Sequence, residues 1–62
     1  MKEIDNPAAV AEYLGLPLNT LAQWRYLKKG PSFIKSGRLV RYRKEDVDAW
    51  LAANTVKVGA NA

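Results

Sequence analysis

Eight cations stand in an acid-free stretch of this 62-residue chain: Arg25, Lys28, Lys29, Lys35, Arg38, Arg41, Arg43 and Lys44, with no Asp or Glu between Tyr13 and Lys44. The chemistry open to them is polyanion binding, because Arg and Lys neutralise phosphates and release the counterions condensed there. Two amides, Asn19 and Gln23, lie one helical turn apart, and such groups can bond the N6/N7 edge of adenine in two places. The flanks are acidic, with Glu3, Asp5, Glu12, Glu45, Asp46 and Asp48 against Lys2 and Lys57, and the whole chain carries +4. Small domains ordinarily intersperse both signs over their surface, so the separation is itself a signal.

Composition narrows the remaining chemistry. The chain has no Cys and no His, which removes disulfides, thiol nucleophiles, imidazole bases and the usual zinc and iron–sulfur ligands. The acids are matched with no base or metal-ligand partner, so the expectation is a protein that is not an enzyme, with no cofactor and no metal. No apolar run is long enough to span a bilayer, and the N-terminus lacks the basic-then-apolar layout of a secretory signal. A cytoplasmic protein with an acidic partner and no membrane partner is expected.

The elements that must position the cations can be read along the chain. One small domain over residues 1–54 is expected, followed by a flexible tail over 55–62 whose small residues lack periodicity. Asp5 or Asn6 caps a first helix with Pro7 at its first position. Val10, Ala11 and Leu14 form its apolar stripe, and Gly15 supplies a left-handed C-terminus. After Gly15-Leu16-Pro17, a second helix is predicted from about Leu18 to Lys28. Leu21, Trp24 and Leu27 point to the core; Asn19, Ala22, Gln23 and Tyr26 point away from it; Thr20 and Arg25 flank. Lys28 and Lys29 suit the negative end of the helix dipole, and Gly30-Pro31 stops the helix.

A hairpin follows. A two-residue loop at Gly37-Arg38 would pair Ile34 with Arg41, and a three-residue loop would pair Ile34 with Tyr42 and Lys35 with Arg41. The second register is preferred, because it sorts apolar from basic residues by face. It sets Lys35 beside Arg41, a repulsion that phosphates would relieve. A closing helix begins near Lys44, with Glu45, Asp46 and Asp48 at the positive end of its dipole and Val47, Trp50 and Leu51 facing the core. Trp24 and Trp50 are read as core residues.

Helix, tight turn, helix, basic hairpin and closing helix make a mainly α winged helix-turn-helix with a two-stranded wing. Pro7-Ala-Ala-Val-Ala-Glu-Tyr-Leu-Gly-Leu, Thr20-Leu-Ala-Gln-Trp-Arg, Gly30-Pro31, and Phe33-Ile-Lys-Ser-Gly-Arg-Leu-Val-Arg-Tyr-Arg-Lys-Glu-Asp-Val-Asp-Ala-Trp-Leu resemble the excisionase and AlpA-like helix-turn-helix domains, relatives of the MerR-type winged fold. The resemblance spans about residues 4 to 52. Pro17 departs from it, since that position more often holds a Ser or Thr cap, and a side-chain cap on the second helix is lost.

The resemblance implies that the second helix enters the major groove of double-stranded DNA and that the wing tip lies against the backbone or minor groove. The residues themselves suggest the same roles. Asn19 and Gln23 are candidates for base contact, and Thr20 and Arg25 for phosphate contact. Tyr26 is placed to stack on a sugar or reach a phosphate. Gly37-Arg38 projects a planar cation suited to a narrow minor groove, and Lys35, Arg41 and Arg43 would track phosphates. Neutralising roughly five phosphates would give a slope of about −4.5 in log K against log salt. The expected activity is that of an excisionase, acting in the nucleoid with a phage-type integrase and with further copies of itself on adjacent sites. The alternatives are a small AlpA-like prophage transcription regulator and a protein-interaction adaptor.

Overall fold

The computed structural model describes residues 1–58. Its elements run β1 (Ile4–Asp5), α1 (Pro7–Leu14), α2 (Leu18–Tyr26), β2 (Ile34–Ser36), β3 (Leu39–Arg43) and α3 (Lys44–Ala53). The winged helix-turn-helix is therefore present, with three helices and an antiparallel sheet in the order β1-β3-β2. Residues 55–58 are exposed and outside these elements; the rest of the tail expected over 55–62 lies outside the described residues.

Asn6 is the cap of α1, its side chain accepting from the Ala9 N–H at 2.8 Å. Asp5 has a different task. Its carboxylate accepts from the Lys2 and Asn6 backbone N–H groups, which together hold it below the usual carboxylate range. This local turn orients β1, a strand that the sequence reading did not anticipate. Ile4 pairs with Arg43 and Asp5 with Tyr42, and the Lys44 N–H donates to the Glu3 carbonyl at 2.8 Å.

Both helices of the helix-turn-helix end in the same way. In α1, the Leu16 N–H bonds the Ala11 carbonyl at 2.9 Å and the Gly15 N–H bonds that of Glu12 at 3.2 Å. In α2, Lys29 bonds Trp24 at 2.8 Å and Lys28 bonds Arg25 at 3.2 Å. Each is the paired closure of a Schellman motif, whose left-handed residue is usually glycine. Gly15 fills that role in α1 with φ 72, whereas α2 uses Lys28 at φ 60. The second helix therefore ends two residues earlier than expected, and Leu27, expected in the core, is 53% exposed. Helix α2 starts at Leu18 without a side-chain cap on Pro17, and the Pro17 carbonyl accepts from both Thr20 and Leu21.

The core consists of Val10 and Ala11 from α1, Leu21 from α2, Tyr42 from β3 and Val47 from α3. Met1, Leu14, Leu16, Trp24, Phe33 and Val40 pack around it. Trp24 and Trp50 are half-buried rather than enclosed; their rings meet at 5.4 Å with planes tilted by 49°. Leu51, expected inside, is exposed. Trp24 also explains Gly30. This residue has φ 85, and a Cβ there would lie 2.7 Å from Trp24 Cε3.

On the α1–α3 side, Asp48 accepts from the Tyr13 hydroxyl at 2.8 Å and from Lys44 Nζ at 2.7 Å. The Lys44 contact, then the Tyr13 one, holds the Asp48 carboxyl below its ordinary range, and Asp48 raises Lys44 in return. Among the described residues, no helix is long and apolar enough to cross a membrane.

Candidate nucleic-acid interface

The hairpin register decides where the wing cations point. Ile34 pairs with Arg41, Lys35 with Val40 and Ser36 with Leu39, so the loop is the two-residue Gly37-Arg38 and the preferred three-residue loop is incorrect. Gly37 has φ 61, and no positive φ occurs at Arg38. This is the distribution of a II′ turn, whose twist suits a tight hairpin. The face assignments of β2 exchange accordingly. Phe33, not Ile34, packs against Tyr42, with ring centroids 6.0 Å apart. Ile34 turns to the outer face, and the expected Lys35–Arg41 juxtaposition does not occur.

Pairing by apolar character failed because the inner face of the hairpin is longer than the core beneath it. Val40 and Tyr42 cover the core, but Lys35 extends past it, over a trough between α2 and the wing. Arg25, Tyr26 and Lys28 form one wall of this trough, and Lys35, Gly37 and Arg38 form the other, with Phe33 and Val40 as an apolar floor. Four cations line the trough and no acid does. Exposed tyrosine on α2 (Tyr26, 84% accessible) adds an aromatic surface at its edge.

The site residues proposed from sequence thus fall into three groups. Arg25, Tyr26, Lys35, Gly37 and Arg38 share the trough. Asn19 and Gln23 are exposed on α2, and Thr20 is half-buried on the same helix. Arg41 and Arg43 alternate with Val40 and Tyr42 along β3 and so occupy the face turned away from the trough. Arg41 Nη1 donates to the Val40 carbonyl at 2.7 Å, and Arg43 lies 3.8 Å from Asp46.

Two features of the trough escaped the sequence reading. Lys28, explained there by the helix dipole alone, lines the trough and has a left-handed backbone with φ 60. Tyr42 was legible as an inward residue, but its hydroxyl accepts from Arg25 Nη1 at 3.1 Å. No sequence signal links these two residues, which are 17 positions apart.

The arrangement has the ingredients for gripping a phosphodiester chain: cations without neighbouring carboxylates, an apolar floor, and a helix presenting amides beside it. The helix-turn-helix domain family matches the chain over residues 6–55, which covers α1, the Gly15-Leu16-Pro17 turn, α2, the wing and α3. No curated protein matches the chain. With the three-residue turn between α1 and α2 and most of its length matched, this chain belongs to the helix-turn-helix domain family, and the activity that accompanies the fold is binding to double-stranded DNA.

Proposed function

We propose that this domain is a sequence-specific DNA-binding protein that acts as an excisionase, cooperating with a phage-type integrase through side-by-side binding and DNA bending. Helix α2 enters the major groove, where Asn19 and Gln23 meet base edges. Arg38 at the wing tip enters the neighbouring minor groove. The sugar–phosphate strand between the two grooves then runs along the trough. The observation that carries this reading is the trough itself, with Arg25, Lys28, Lys35 and Arg38 on its walls and no acidic residue among its lining groups.

The finer assignment has two supports. The ordered motifs from Pro7 to Leu51 resemble excisionase and AlpA-like domains, and one copy has a limited footprint. A module of this size covers roughly 600–1,000 Å² on DNA, which limits the specificity one copy supplies alone. Adjacent copies, or an integrase bound nearby, supply the missing discrimination.

Selecting bound duplexes from a random pool, followed by gel shifts and bending assays on the winners, tests this directly. An excisionase yields tandem direct repeats, a ladder of successive complexes and a bend. One isolated site without a bend would instead indicate a small AlpA-like transcription regulator. Duplex binding indifferent to both Gln23→Ala and Arg38→Ala would remove the interface and leave an adaptor role.

A further inference from the structure

Among the described residues, Tyr42 brings the only polar side-chain atom into the fully buried core, where Val10, Ala11, Leu21 and Val47 are aliphatic. A hydroxyl in such a place needs a partner, and its partner is Arg25 Nη1 at 3.1 Å. The ring cannot swing to seek another, because it is fully buried and packed against Phe33.

Seen from Arg25, the contact is a restraint. The guanidinium has five N–H donors in a rigid plane, of which one group is bonded to Tyr42. No carboxylate lies within ion-pair distance of it among the described residues, and the side chain lines the trough. A planar cation fixed along one edge by a rigid acceptor loses little further freedom when another edge meets a phosphate.

We propose that Tyr42 is a positioning residue: its buried hydroxyl holds the Arg25 guanidinium at the wall of the trough, aimed at one backbone phosphate, so that β3 sets how α2 sits on the duplex. The proposal rests on the reading of the trough as the seat of a DNA strand. Tyr42 itself touches no DNA and acts only through Arg25.

The test is a double-mutant cycle on the full chain, with a duplex selected from a random pool and affinities measured across a salt series. Tyr42→Phe keeps the packed ring and removes the hydroxyl. It is expected to weaken binding about tenfold, the scale of one charge-assisted hydrogen bond. Arg25→Ala is expected to weaken binding at least as much and to flatten the salt slope by about 0.9, one phosphate contact. In the Arg25→Ala background, Tyr42→Phe should have no further effect. A purely structural role would give the same loss in both backgrounds, which overturns the proposal, as does wild-type affinity in Tyr42→Phe. If Arg25→Ala binds normally while Gln23→Ala and Arg38→Ala do not, positioning fails and the DNA seat stands. If Gln23→Ala and Arg38→Ala are also without effect, both fall.

Discussion

Lys35 and Arg41 belong to one hairpin, on strands that pair with each other, yet they stand on opposite faces. Lys35 lies across from Val40 and lines the trough. Arg41 lies across from Ile34 and donates to a carbonyl of its own strand. Its neighbour on the same face, Arg43, approaches Asp46. Among the described residues, none of the trough cations Lys28, Lys35 and Arg38 makes an ion pair. The inner face keeps its charges available, whereas the outer face ties them into the fold. Equal charge therefore does not mean equal use, and a one-residue change of register would put both cations on the same face.

The sharpest way to break this comparison is to remove what supports the inner face. Tyr42→Ala deletes a fully buried ring and is expected to cost about 3–5 kcal/mol, which is most or all of the stability of so small a domain. Circular dichroism should show an unfolded chain, whereas Leu39→Ala, at a half-exposed position on the outer face, should melt within a few degrees of wild type. Gly30→Ala comes next. The left-handed backbone and the overlap with the Trp24 ring together are expected to cost about 2–4 kcal/mol, read as a fall in melting temperature.

Binding measurements sharpen the contrast between faces. Lys35→Ala and Arg38→Ala should each weaken duplex binding about tenfold and flatten the salt slope by about 0.9. Arg41→Ala and Arg43→Ala should each stay within about threefold. Comparable losses on both faces would mean that DNA wraps the whole hairpin. Lys28→Gly separates stability from binding. It relieves a left-handed non-glycine residue, which should raise stability by about 0.5–1 kcal/mol, while removing a trough cation and weakening DNA binding severalfold. A variant that gained on both measures would show that Lys28 contributes nothing to the interface.

The smallest effect concerns the Tyr13–Asp48–Lys44 cluster, away from the trough. The folded state lowers the Asp48 pKa, chiefly through Lys44, so its contribution is present above the unfolded aspartate pKa of about 3.9 and lost as pH falls below it. Lys44 is raised, chiefly by Asp48, so its contribution is present below about 10.4 and lost as pH rises further. Thermal melts should therefore weaken at both extremes. Asp48→Asn should flatten both slopes and leave duplex affinity at neutral pH unchanged.

Local signals were readable where one residue type settles one backbone feature. Asn6, Pro7 and Gly15 bracket α1 because a cap oxygen, a missing N–H and a left-handed residue each act within one turn. The stop of α2 misled because Lys28 takes the left-handed position that glycine usually fills; Gly30, two residues on, answers to the Trp24 ring instead. Strand β1 was invisible, since a two-residue strand has no period and exists only by pairing with β3.

The candidate site shows the same division. That Asn19, Gln23 and Tyr26 face outward followed from helical spacing, and all three are exposed. Which hairpin cations join them did not follow. Alternation fixes which residues share a face within a strand, but it leaves the pairing between strands to the loop geometry and to the shape of the core.

By itself, the chain's sequence determined that a small, basic helix-turn-helix would form with a cationic hairpin, because caps, helical period and turn residues act over a few positions. Only the tertiary structure decided that Lys28, Lys35 and Arg38 gather in one trough while Arg41 and Arg43 turn away, and that Tyr42 reaches across to Arg25. The physical reason is distance along the chain. Contacts between α2 and β3 depend on how two separately formed elements share one core, and that is a property of their packing rather than of either segment.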